Sequence, residues 1–143
     1  MTNLSLAQSY LEKARLRLLV LDVLNTAGGF SDVIREAQEI VELALKGMLR
    51  QVGIEPPNWH DVGGILAEYR ARFAEPAASS IDRLRAISKR LRKDRELAFY
   101  GDVDFIPTSE YSAEDARRAI EDARFVVSIA EAVIAPPAAT GHG

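Results

Sequence analysis

Apolar residues recur every three to four positions along most of this chain, the spacing that places them on one face of an α-helix. The first stripe is Ala7, Leu11, Ala14, Leu18 and Leu21, in a helix predicted over about residues 5–26. Leu16, Leu19, Val20 and Val23 widen that stripe. A helix apolar on more than one side is expected to be covered on more than one side, by bundle core alone or by core plus a dimer face. Gly28-Gly29 ends it. A second helix is predicted over about 30–52, with Ile34, Ala37, Val41, Ala44, Leu45, Met48 and Val52 as its apolar face. Ser31 or Asp32 is the expected cap, and Gly53 suits the left-handed position past its end. Glu42 and Lys46 have i,i+4 spacing for an ion pair.

Glu55-Pro56-Pro57-Asn58 reads as a stiff connector. A short helix follows, over about 61–73, with Val62, Ile65, Leu66 and Tyr69 inward and weakened by Gly63-Gly64 in its first turn. Glu75-Pro76 interrupts the chain before a fourth helix, over about 80–100, for which Ser79 and Asp82 have capping-box spacing. Residues 101–111 form a turn-rich loop containing Pro107. Ser112 and Asp115 open a fifth helix by the same capping logic, and Ala116, Ile120, Ala123, Val127, Ala130 and Ile134 make its stripe. No period-2 alternation persists beyond a few residues. The expected fold is all-α: an antiparallel up-and-down helical bundle of four long helices plus one short helix. It occupies residues 1–134, and residues 135–143 are expected to be a disordered tail rich in Pro, Ala and Gly.

With 143 residues, the chain is long enough for one domain with a real core. It has no cysteine, which excludes disulfides and thiolate metal sites and fits a reducing, cytoplasmic compartment. No charged-then-apolar leader and no membrane-spanning apolar run is present. The net charge of −3 argues against indiscriminate nucleic-acid binding but leaves room for a local basic patch.

Such a patch lies in the fourth helix. Arg83, Arg85, Lys89, Arg90, Arg92, Lys93 and Arg95 are opposed in that segment only by Asp94, whereas beyond Arg95 there are only Arg117, Arg118 and Arg124 against nine acidic residues. At about 100° per residue, Arg95 falls on the apolar stripe of Leu84, Leu91 and Ala98, with Ile81, Ile87 and Ser88 at its margins. Three readings follow. Its stem packs while its head reaches water, or it belongs to an internal ion pair, or it faces an anion site. Asp32, Glu36 and Asp102 are the candidate acidic partners. For Asp32 and Glu36 the simpler role is to favour the N-terminus of their own helix electrostatically.

No phosphate-binding glycine loop, nucleophile elbow or paired-histidine metalloprotease motif occurs. His60 stands beside Trp59 at a helix entry and His142 lies in the tail, so no metal site and no cofactor is expected.

Three segments together resemble the HEPN-domain family. They are Tyr10-Leu11 with the run through Leu21; Phe30 to Glu39 continuing Glu42 to Lys46, then Gly53 to Pro57 and His60-Asp61-Val62; and Arg95 to Asp102, then Tyr111 and Asp115-Ala116. The resemblance implies a helical bundle that commonly dimerises. It also implies pairing with a small nucleotidyltransferase in two-gene modules, often toxin with antitoxin. Active members are metal-independent ribonucleases that use an arginine followed, after four to six residues, by a histidine. Arg95 matches the arginine, but Tyr100, Gly101 and Asp102 occupy the places open to the histidine. Asp102 also stands where some members carry a tyrosine that accepts a nucleotidyl group, two places after that histidine.

Ribonucleolysis without metal needs a base for the 2′-hydroxyl, an acid for the leaving oxygen and a cation for the phosphorane. Arg95 suits the last task by bidentate contact. A phenol with a free pKa near ~10 is a poor base at neutrality, and a carboxylate at Asp102 repels the substrate. Tyr100 suits phosphate positioning or base stacking. Arg92, Arg95 and Tyr100 are therefore the expected phosphate or nucleotide contacts, and Arg95, Tyr100 and Asp102 the residual catalytic candidates. The expectation is a non-catalytic nucleotide- or RNA-contacting partner of a nucleotidyltransferase. A ribonuclease with a degenerate motif and a purely structural dimerisation module are the alternatives. A two-fold homodimer is expected from the apolar excess of the first and last helices, bringing two basic helices into one groove.

Overall fold

In a computed structural model, the chain is described over residues 2–56, 61–99 and 111–136, with the side chains of residues 3 and 94–99 outside that description. The long helices are α1 (Asn3–Thr26), α2 (Phe30–Gln51), α4 (Ala77–Phe99) and α5 (Ala113–Val133), and α3 (Val62–Glu68) is the short one. A 3-10 turn, Arg70–Arg72, follows α3. The described residues contain no strand, so the all-α bundle expected from the periodicity is what forms.

Two glycine-terminated helix ends set the up-and-down order. Gly28 has φ +80°, the Gly29 amide donates to the Leu24 carbonyl (2.9 Å), and the Gly28 amide donates to Asn25 (3.0 Å). The end of α2 repeats this: Gly53 has φ +83°, Ile54 donates to Leu49 (2.9 Å) and Gly53 to Arg50 (3.1 Å). These are Schellman ends, in which a left-handed residue lets two amides satisfy the last free carbonyls.

Several starts differ from expectation. α1 begins two residues early because Thr2 and Ser5 form a reciprocal capping box. α2 has no side-chain cap: Gly29 holds the cap position, Ser31 is buried in the first turn, and Asp32 contributes only as a first-turn acid. α4 begins at Ala77 rather than at Ser80. Ser79 therefore lies within its first turn, where its amide donates to the Glu75 carboxylate (2.6 Å) and its hydroxyl to the Pro76 carbonyl. Asp82 takes a hydrogen bond from Arg70 instead of capping, and that bond, with the guanidinium charge, holds its carboxyl below the usual range. Glu42 and Lys46 form no ion pair. Ser112 and Asp115 cap α5 as read from the sequence, and residues 137–143 lie outside the described residues.

α2 is the central helix. It packs against α1, α5 and α4, while α1 and α4 sit at opposite corners with no extensive contact between them. α5 closes the ring between those corners and also meets α2 across the core. Alanines make that diagonal short: Ala37, Ala44, Ala116, Ala119, Ala123 and Ala130 are all buried. At Gly47, a Cβ would lie 2.9 Å from Ile134 Cδ1 and 3.3 Å from the Ala7 carbonyl oxygen, so α2 approaches α1 at that level nearly backbone to backbone.

Gly63, in the pair read as a weakness, has a packing purpose. A Cβ on Gly63 would sit 3.0 Å from Arg85 Cα, so α3 lies against the backbone of α4. Asp61 caps α3 by accepting from the Gly64 amide (3.1 Å). Gly63→Val should push α3 off α4 and destabilise the protein by about 1–3 kcal/mol, the usual range for overpacking. Urea unfolding monitored by helical circular dichroism checks this; an unchanged midpoint would contradict the close approach.

Candidate nucleic-acid interface

The apolar stripe of α4 behaves as its spacing requires. Ile81, Leu84, Ile87, Ser88 and Leu91 are buried along one side. The basic residues interleaved with them then divide among three directions. Arg83 and Arg90 turn toward α5. The Arg83 guanidinium lies over the Phe125 ring at 3.6 Å from its centre, and Arg90 forms an ion pair with Asp122. Arg92 turns toward α3, 3.6 Å from the Asp61 carboxylate that caps that helix. Lys89 and Lys93 are exposed on the side away from the core and form no ion pair among the described residues; Arg85 is exposed beside them, at the edge where α3 packs on α4. The charge run is thus partly structural, with Lys89 and Lys93 as cations left to solvent.

The expected site residues do not converge within the described structure. Asp32 and Glu36 line a groove of about 560 Å³ between α1 and α2, with Arg17, Val20, Leu24, Arg35 and Glu39. There Glu36 pairs with Arg17 (3.1 Å) and Asp32 approaches Arg35 (3.8 Å). Arg92 lies at the α3–α4 edge. Position 95 belongs to α4, one turn past buried Leu91, but its side chain lies outside the described residues, as do Tyr100, Asp102, Trp59 and His60. Near that end of α4, Ile34, Arg90, Leu91, Asp115, Arg118 and Ala119 line a recess of about 40 Å³, a volume fit for ordered water and too small for a nucleotide.

Two residues not singled out from the sequence organise this face. Asp61 both caps α3 and faces Arg92, and Asp122 receives Arg90. Asp61 has a sequence signal, an Asp immediately before Val62-Gly63-Gly64 at a predicted helix start. Asp122 has none, because its partner is thirty-two residues away and the pairing exists only once α4 and α5 pack. The carboxylate is largely buried and the guanidinium about a quarter exposed, so Asp122→Ala strands a cation that water reaches only in part. The expected loss is about 1–2 kcal/mol, below that for a wholly buried pair. Chemical denaturation of Asp122→Ala beside an Arg90→Met/Asp122→Ala double variant checks it; the double variant should recover part of the loss.

No helix among the described residues is long and apolar enough to cross a membrane. No curated protein and no solved structure matches the chain. The sequence model of the HEPN domain matches residues 7–133, from the first core residue of α1 to the last residue of α5. That span takes in all the helices whose packing is described above, and on it the chain belongs to the HEPN-domain family.

Proposed function

We infer that this HEPN-domain protein acts as a non-catalytic, RNA- or nucleotide-contacting partner of a nucleotidyltransferase, in a cytoplasmic module of the toxin–antitoxin kind. The observation that carries the contact with phosphate is the outer face of α4, where Arg85, Lys89 and Lys93 stand exposed in a protein of net charge −3. Each turn of a helix advances about 5.4 Å, so cations at 85, 89 and 93 follow one line about 12 Å long, a spacing that suits successive phosphates of a single strand. Arg92 and Arg95 extend the same helix toward Tyr100, and these are the residues proposed to meet the phosphate or base. The lack of catalysis follows from residue chemistry: at the spacings where active relatives hold an imidazole, this chain has Tyr100, Gly101 and Asp102.

The test uses metal-free protein and labelled single-stranded RNA at low and moderate salt. Binding should be weak, fall as salt rises, and lose most of its affinity and about two units of salt slope in Arg85→Ala/Lys89→Ala/Lys93→Ala. Cleavage should be absent or very slow. Multiple-turnover cleavage abolished by Arg95→Ala would instead establish a ribonuclease with an altered acid and base. A nucleotidyltransferase identified by mass spectrometry in stoichiometric complex with the tagged protein from its own host is the expected partner result.

A further inference from the structure

On α1, Leu16, Leu19, Val20 and Val23 are exposed and form an apolar ridge. The expectation that the last helix shares this excess is not met, since Val126, Val127 and Ile129 are buried within the bundle. What α5 presents instead is Phe125, a ring at the margin of the core, partly buried and covered by Arg83 of α4.

Arg83 is held differently from most arginines of this protein. Arg15, Arg17, Arg70, Arg90, Arg117 and Arg124 each meet a carboxylate. Among the described residues, Arg83 meets none and makes no hydrogen bond. The carboxylates on neighbouring turns are taken by other cations: Asp82 by Arg70, Asp122 by Arg90 and Glu121 by Arg117. What holds Arg83 is the Phe125 ring, with the guanidinium carbon 3.6 Å from the ring centre. The guanidinium nitrogens stand about 1.3 Å from that carbon, so an edge-on approach would press them inside contact distance of the ring. The two groups therefore lie face to face.

A guanidinium held flat in this way keeps its second face open, and its five N–H donors lie in its own plane, directed away from the ring. Arg83 is exposed, so that second face is turned to solvent. Ala86, exposed one turn further along α4, adds no bulk beside it. Lys89 follows about 9 Å along the helix axis. A strand with phosphates on Lys89 and Lys93 thus brings neighbouring bases within reach of Arg83.

We propose that Arg83 and Phe125 form a base-stacking subsite for single-stranded RNA, in which an unpaired base lies on the outer face of the guanidinium and the ring backs its inner face. The subsite rests on the RNA contact inferred above and gives that contact its strand class, because a base stacked within a duplex has no free face to offer. The lysines supply an attraction that salt weakens, and the stack supplies one that depends on the base being present. Every base has a π-face, so the subsite favours unpaired strands without choosing among sequences.

The test compares two labelled strands on the full chain at one salt concentration: a short single-stranded RNA and an abasic strand with the same number of phosphates. The base-bearing strand should bind about tenfold tighter, toward the low end of what one stacked base contributes. Arg83→Lys keeps the charge and loses the plane; Phe125→Leu keeps the apolar bulk and loses the ring. Each should remove most of that preference, the loss falling on the base-bearing strand. Arg83 lies outside the core, so a folding defect in Phe125→Leu does not decide the outcome. Lys89→Ala/Lys93→Ala should instead weaken both strands by the same factor. Equal binding of the two strands by the parent, a preference that survives Arg83→Lys, or an equal loss for both strands in Arg83→Lys would each overturn the subsite and leave the phosphate contact standing. Binding of neither strand would remove the RNA reading and the subsite with it.

Discussion

The close approach of α2 and α5 across the centre of the bundle is the constraint from which the surfaces follow. Four helices around a square would leave both diagonals open. Here the alanines of the two helices shorten one diagonal, and α1 and α4 are held apart at the ends of the other. Each of those outer helices then has a broad face that the bundle does not cover. On α1 that face is apolar, and on α4 it is basic. Two surfaces of different chemistry are thereby kept apart by the full thickness of the domain.

The ion pairs are arranged to suit this division. On α1 the charged residues run laterally to α2 and α5 and leave the ridge between them clean. On α4, Arg83, Arg90 and Arg92 are drawn toward neighbouring helices and Lys89 and Lys93 are not. The exposed pairs Arg15–Glu131 and Asp22–Arg124 contribute little to stability, a median near ~0–1 kcal/mol each. Their effect is to decide where charge stands on the surface.

The helices and their buried stripes were legible because the chain is locally consistent: periodicity, Gly28, Gly53 and the Ser112–Asp115 box all point to the same elements. Where two local signals competed, the sequence misled. Ser79 and Asp82 have the spacing of a cap, but Glu75 sits one turn earlier and satisfies the Ser79 amide, and Asp82 is taken by Arg70. Gly63-Gly64 reads as a poor helix start because the α4 backbone that requires Gly63 is invisible in the local sequence. The candidate site was legible in type but not in placement. The basic run of α4 could be seen, but Asp122 and Asp61, which pair with Arg90 and Arg92, are brought to it by tertiary packing. Asp32 and Glu36 read as partners for Arg95, yet their described pairs are with Arg35 and Arg17, in the groove against α1.

The claim that the apolar and basic surfaces act at separate corners is tested most directly by backbone amide NMR of the labelled protein titrated with a short single-stranded RNA. The expected shifts follow α4 around Arg85, Lys89 and Lys93, while the amides of Leu16 to Val23 on α1 stay unmoved. Shifts along the α1 ridge with α4 silent would contradict it.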